Sequence, residues 1–295
     1  MKTPPRTCKS GAVTLKQARI FAPVYAKKII LEKTGYWAWR VFLFYIITGT
    51  ILYFMQEFIL FRPKKLAADY KYSFTVPFKQ IDLAVNEDKN LSIVQFTVPD
   101  SVRKGIVLYF HGNRGNINRY APFAQLFTKN NYEVWMIDYP GYGKSTGKRT
   151  EQILYDDAHL FYKMAHSIIA SDSIIIYGKS LGSAIATELA SSRDCKQLIL
   201  ECPYYSMSKL AARYFFMFPT GPMMKFELPT YQYLSTVQAP VTILHGTKDG
   251  VIPYKHAVWL SEVKKGIELV TIEKGGHNDL ADYPVFTEKI DSLLK

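Results

Sequence analysis

Cysteine is scarce in this 295-residue chain, three in all, and two of the three cannot pair. Cys195 and Cys202 flank the strand-like run KQLILE, so seven extended steps hold them roughly 23 Å apart, far beyond the roughly 7 Å within which a disulfide closes. Cys8 stands alone near the N-terminus and by itself carries no assignment. Internal repeats and low-complexity tracts are absent, which excludes solenoid and fibrous architectures. GYGKST and YGKS both lack the glycine that a phosphate-binding loop needs five residues before its G-K; Asp138 and Ser173 stand there instead, which excludes an NTPase of that kind. Acidic residues are nearly missing from residues 1–40, where nine Lys or Arg face Glu32 alone and supply +8 of the net +12. The rest of the chain carries too little excess charge for a nucleic-acid-binding face, so no nucleic-acid partner is expected.

Ionisable groups other than tyrosine are also missing from VFLFYIITGTILYFM, residues 41–55. Residues 37–61 supply the roughly 20 mostly apolar positions that a membrane-spanning helix requires, with Arg40 snorkelling and Glu57 at the far interface. No small-residue cleavage site comes after them, which argues for a retained signal anchor. The expected organisation is a basic segment, 1–36, a transmembrane helix, 37–61, and a folded domain, 62–295. The charge before the span exceeds that of Arg62, Lys64, Lys65 and Lys71 after it. The positive-inside rule then predicts a cytoplasmic N-terminus and a folded domain on the non-cytoplasmic side.

Beyond Pro63 the chain turns into a succession of short apolar runs: IDLAV from Ile81, LSIVQFTV from Leu91, GIVLYF from Gly105, YEVWMID from Tyr132, SIIIY from Ser173, KQLILE from Lys196, PVTILHG from Pro240 and IELVTIE from Ile267. Helical stretches separate the later ones, at 120–129, 151–170 and 181–192. Eight strands alternating with helices predict an α/β fold with a mostly parallel sheet covered on both faces. Residues 204–238 break the rhythm with prolines at 219, 222 and 229, nine aromatic residues and four methionines. Lying between two strand ends, this segment reads as a short cap over a site that accepts apolar groups.

SIIIYGKSLGSAIATELA, residues 173–190, places Ser180 between Gly178 and Gly182 at a strand-to-helix turn. A serine hydroxyl is a weak nucleophile and needs such exposure, a base and donors for an oxyanion. Asp249, in HGTKDGVIP, and His277, in KGGHNDL, come later in the order serine, acid, histidine, each just beyond a strand. Asp249 is the expected acid, with Glu201 at the end of KQLILE as the alternative. His111, in FHGNRGN, reads as scaffolding for a loop whose backbone N–H at Asn113 joins that of Leu181 as an oxyanion hole. His159, His166, His245 and His256 read as structural. No metal or cofactor is called for.

Together YFHGNRGN, DYPGYGKSTG, YGKSLGSAIA, HGTKDGVIPYKHA and GGHNDL resemble the membrane-anchored branch of the α/β-hydrolase superfamily, which includes acyl-protein thioesterases and hydrolases of lysophospholipids and monoacylglycerols. The resemblance covers about residues 60–295. It implies the α/β-hydrolase fold, with Ser180 as nucleophile, Asp249 as acid, His277 as base and Asn113 and Leu181 as oxyanion donors. The implied activity is cleavage of a carboxylic ester or thioester in a lipid-like or acylated small-molecule or protein substrate at a membrane. A catalytically silent binding module and a serine peptidase on the same fold are the alternatives. The sequence carries no mark of oligomeric state.

Overall fold

The structure, a computed structural model, describes residues 15–295. Cys8 and the first part of the basic segment lie outside the described residues. Two compact units divide after Phe54. The first holds most of α1, Leu15–Leu60, a single helix of 46 residues. Its start lies well before residue 37, because Lys, Arg, Glu and Ala propagate a helix as readily as the apolar run does. The stretch Glu32–Leu60 is long and apolar enough to cross a membrane, and Trp37, Phe42, Phe44, Ile47 and Phe54 are all exposed on it.

The second unit, Met55–Lys295, is built on one eight-stranded sheet. Its strands are β1 (Phe78–Asn86), β2 (Lys89–Phe96), β3 (Gly105–Phe110), β4 (Tyr132–Ile137), β5 (Ile174–Lys179), β6 (Gln197–Glu201), β7 (Val241–Gly246) and β8 (Ile267–Ile272). Across the sheet they run β1-β2-β4-β3-β5-β6-β7-β8. Strand β2 is antiparallel to β1 and β4, and every other pairing is parallel. All eight apolar runs of the sequence become its strands.

Period-2 alternation divides the core into two layers. Ile106, Leu108, Phe110, Ile174 and Ile176 face one side, where α2 (Glu151–His166) and α3 (Leu181–Ser192) supply Leu154, Phe161, Ile185 and Leu189. Val107, Tyr109, Ile175 and Tyr177 face the other, against Phe127, Phe286 and Ile290. Because both faces are covered, the central strands are buried throughout, which is why they read as continuous apolar runs. Helix α2 starts where the Thr150 side chain accepts from the Ile153 N–H and ends at His166, short of residue 170. The stretch 120–129 is a short 3₁₀ turn, Ala121–Ala124, followed by one α turn, Gln125–Thr128, rather than one helix.

Residues 204–238 have two fates. Phe226, Leu228, Leu234 and Val237 are buried in the first core layer, whereas Tyr214, Phe216 and Met217 are exposed. The last turns of α1 join the same unit: the Gln56 side chain donates to the Met223 carbonyl at 3.1 Å and accepts from the Lys225 N–H at 2.7 Å. Phe61 meets Phe226 edge-on, with centroids 4.8 Å apart.

Candidate active site

Strand order reverses around β3, so the loops leaving β3 and β5 diverge and open a crevice at their carboxyl ends, where α/β sheets place ligands. Ser180 stands at the end of β5 with φ 52° and ψ −115°. A non-glycine residue there costs on the order of 1–3 kcal/mol, and its surroundings hold it in place. The Ser180 N–H donates to the Glu201 carbonyl at 2.8 Å, and Ser183 Oγ donates to the Ser180 carbonyl at 2.6 Å. The flanking glycines permit the turn sterically. A Cβ on Gly182 would lie 2.1 Å from the Phe110 carbonyl oxygen, and one on Gly178 would lie 2.6 Å from the Gly182 carbonyl oxygen.

His277, beyond β8, and Asp249, beyond β7, reach this serine from separate loops. His277 Nε2 is 3.0 Å from Ser180 Oγ, and His277 Nδ1 is 2.6 Å from Asp249 Oδ2. One proton arrangement fits an ionised aspartate: Nδ1–H donates to Asp249, and Nε2 accepts from the serine hydroxyl. The other oxygen, Asp249 Oδ1, accepts from the Val251 and Ile252 N–H groups, each at 2.8 Å. Burial pushes the Asp249 carboxyl up, but hydrogen bonds from His245 and His277 outweigh burial and hold it well below the usual carboxylate range.

His245, which the sequence reads as structural, supports this acid. Its Nε2 lies 2.9 Å from the Ile252 carbonyl and 3.3 Å from Asp249 Oδ2, so one N–H faces both. Cys202 is also near: its ligand atom and those of His245 and Asp249 lie within 4.8 Å of one another. Burial raises the Cys202 thiol well above its ordinary range, leaving a protonated sulfur that ligates metals poorly. Glu201 turns elsewhere. Its carboxylate is buried between Lys179 Nζ and the Tyr177 hydroxyl, and no contact joins it to His277 among the described residues.

The loop after β3 abuts the serine, since a Cβ on Gly112 would lie 3.6 Å from Ser180 Cβ. His111 is fully buried beneath it, with Nε2 3.2 Å from Asp138 Oδ1 and its ring stacked on Tyr120 at 4.9 Å. The Asn113 carbonyl accepts from the Arg62 N–H at 2.9 Å and from the Tyr142 hydroxyl at 2.7 Å. The Asn113 side chain donates to the Leu60 carbonyl at 2.9 Å. Neither the Asn113 nor the Leu181 N–H has an acceptor among the described residues, which leaves two donors free for a developing oxyanion. Ser180, His277 and Asn113 line a cavity of about 420 Å³, with Ile59, Tyr214 and Phe215 on its apolar parts. Such a site suits acyl transfer from an apolar substrate.

A family model described as serine aminopeptidase, S33, matches residues 101–233. Alpha/beta hydrolase domain-containing protein 17C of Xenopus tropicalis is 32% identical over 194 residues, covering 64% of this chain and 61% of the relative. The human protein of that name is 30% identical over 194 residues, covering 64% of this chain and 57% of its own length. The chain thus spans about three-fifths of the length of the curated relatives it matches. Among solved structures, an esterase of Pyrococcus furiosus superimposes with a TM-score of 0.63 at 17% identity, covering 80% of this chain and 97% of the esterase. A monoacylglycerol lipase of Paleococcus ferrophilus gives 0.53 at 17% identity, covering 69% and 98%. At such identities the structural likeness speaks for fold.

Proposed function

We propose that this chain, which has the α/β-hydrolase fold and resembles hydrolases of that superfamily, is a membrane-anchored serine hydrolase cleaving carboxylic esters or thioesters with an apolar acyl group. The observation that carries the reading is the unbroken chain of contacts from Ser180 Oγ through His277 to Asp249. Ser180 Oγ attacks the acyl carbon while His277 Nε2 takes its proton, and Asp249 balances the imidazolium that forms. The oxyanion accepts from the Asn113 and Leu181 N–H groups. His277 then hands the proton to the departing alcohol or thiol, leaving an acyl-serine. Water attacks this ester with His277 as base, releasing the acid and restoring the hydroxyl. No step calls for a metal or a cofactor.

The apolar segment Glu32–Leu60 supports the membrane anchor by length and composition. Peptide cleavage is the second reading, favoured by the serine aminopeptidase description of the matching family model. Labelling by a fluorophosphonate probe tests the chemistry: the wild type labels, and Ser180→Ala does not although its melting temperature is retained. Full-rate labelling of the alanine variant would place the nucleophile elsewhere. Acyl chain length separates the two readings, because each buried methylene adds roughly 0.8 kcal/mol. For p-nitrophenyl esters of two to twelve carbons, kcat/KM should climb until the cavity fills, and Phe215→Ser should flatten the climb. A preference for acetate would return the peptidase reading to the front.

A further inference from the structure

Three buried tyrosines, Tyr120, Tyr139 and Tyr142, pack against the ring of His111 beneath the loop after β3. Two of them spend their hydroxyl protons on that loop. Tyr139 donates to the His111 carbonyl at 2.8 Å, and Tyr142 donates to the Asn113 carbonyl at 2.7 Å. Tyr120, at the end of the short helix Ile117–Tyr120, differs: its hydroxyl donates to no acceptor among the described residues, and it lines the cavity of Ser180. A Cβ on Gly112, 3.6 Å from Ser180 Cβ, would stand 2.8 Å from this hydroxyl oxygen. Nucleophile and hydroxyl therefore flank one gap, which any side chain at position 112 would fill. Burial raises the Tyr120 pKa to about 12, against the Arg119 charge and the Arg114 N–H, which act the other way. The group stays a protonated donor through the neutral range. Phenylalanine offers His111 the same ring, so the hydroxyl adds one thing, a donor in the cavity of the nucleophile.

On the serine hydrolase reading, we infer that Tyr120 is a further catalytic residue, its hydroxyl a third donor to the oxyanion beside the Asn113 and Leu181 N–H groups. When Ser180 Oγ bonds to the acyl carbon, the carbonyl π pair moves onto the oxygen, and the Tyr120 hydroxyl donates a hydrogen bond to it. The proton stays on Tyr120, because the pair returns to the carbonyl as the alcohol or thiol leaves with the proton from His277. Tyr120 packs on the loop that carries Asn113, whereas His277 reaches Ser180 from the loop beyond β8, so one serves the oxyanion and the other the leaving group.

The test is Tyr120→Phe on the full chain in neutral detergent, with rates counted per serine titrated to completion by a fluorophosphonate, so that unfolded protein does not enter. For p-nitrophenyl octanoate, kcat should fall about tenfold to 10²-fold while KM stays within about twofold. Octyl trifluoromethyl ketone, to which Ser180 Oγ adds to give a stable hemiketal oxyanion, should lose affinity by a similar factor. The corresponding secondary alcohol forms no oxyanion and should bind both proteins alike. An unchanged kcat with unchanged ketone affinity overturns the third-donor role and leaves the hydrolase reading standing. A loss that lies wholly in KM, with ketone and alcohol weakened together, overturns it too, since the hydroxyl would then only shape the cavity. A wild type that neither reacts with the fluorophosphonate nor cleaves the ester ends the hydrolase reading and the third-donor role with it.

Discussion

Asp249 has both of its oxygens occupied, one by two backbone N–H groups and one by His277. Asp249→Asn keeps the shape but offers an N–H where His277 needs an acceptor, so kcat should fall on the order of 10⁴ with the fold intact. Glu201→Gln should reverse the pattern. It strands Lys179 in the interior, costing about 3–5 kcal/mol of stability, yet should leave kcat per folded molecule within about tenfold. Equal losses of kcat in both variants would mean that the acid role is shared. Ser180, Asp249 and His277 were legible in the sequence because each obeys a local grammar of strand, glycine and turn. His245 was not, since a histidine ending a strand looks the same whether or not it faces a carboxylate. His256 titrates to a different end. Burial first, then Lys255 and other nearby cations, lower its pKa from 6.5 to about 4, and its Nδ1 accepts from the Tyr205 N–H at 3.2 Å. Between those values the unfolded chain binds the extra proton, so this contribution is full above pH 6.5 and fades as pH falls toward 4. Its size is at most about 3 kcal/mol. Denaturant midpoints measured across that range should drop more steeply for the wild type than for His256→Gln; parallel curves would remove His256 from the pH dependence.

The loop that carries Asn113 takes its shape from a neighbour distant in sequence. Residues 60–64 hold it through four hydrogen bonds: Arg62 N–H to the Asn113 carbonyl, Asn113 Nδ2 to the Leu60 carbonyl, Lys64 N–H to the Gly115 carbonyl and Asn116 Nδ2 to the Lys64 carbonyl, all within 2.8–2.9 Å. A two-residue ladder has no periodicity, so nothing in the sequence announced it. The cap segment was hard to read for a related reason, since aromatic composition is the same for Phe226 in the core and Phe216 at 80% exposure. A fragment starting at Met55 retains every one of these bonds, and one starting at Ala67 loses them all. Hydrolysis of p-nitrophenyl octanoate should survive in the first fragment and fall about 10²-fold in the second, the cost of a misplaced oxyanion donor. Equal rates would show that the loop holds its own shape.

At the scale of the whole chain, the proposed membrane anchor in α1 decides where the candidate site would work. The 46 residues of that helix span about 69 Å, more than twice the roughly 30 Å of a bilayer's hydrocarbon, so the apolar stretch Glu32–Leu60 suffices for the crossing and the basic part can remain in water. Moving the seven cationic residues that precede Glu32 across a membrane opposes the positive-inside bias, and anionic lipid on the cytoplasmic leaflet favours keeping them there. The N-terminus is therefore expected in the cytoplasm and Ser180 on the opposite side, where the exposed Phe216 and Met217 would meet apolar substrates. Protease added outside sealed spheroplasts or vesicles of native orientation should digest the α/β unit and spare a tag fused before Met1. Digestion of the tag with protection of the α/β unit would reverse the orientation, since the same span inserted the other way would put the α/β unit in the cytoplasm.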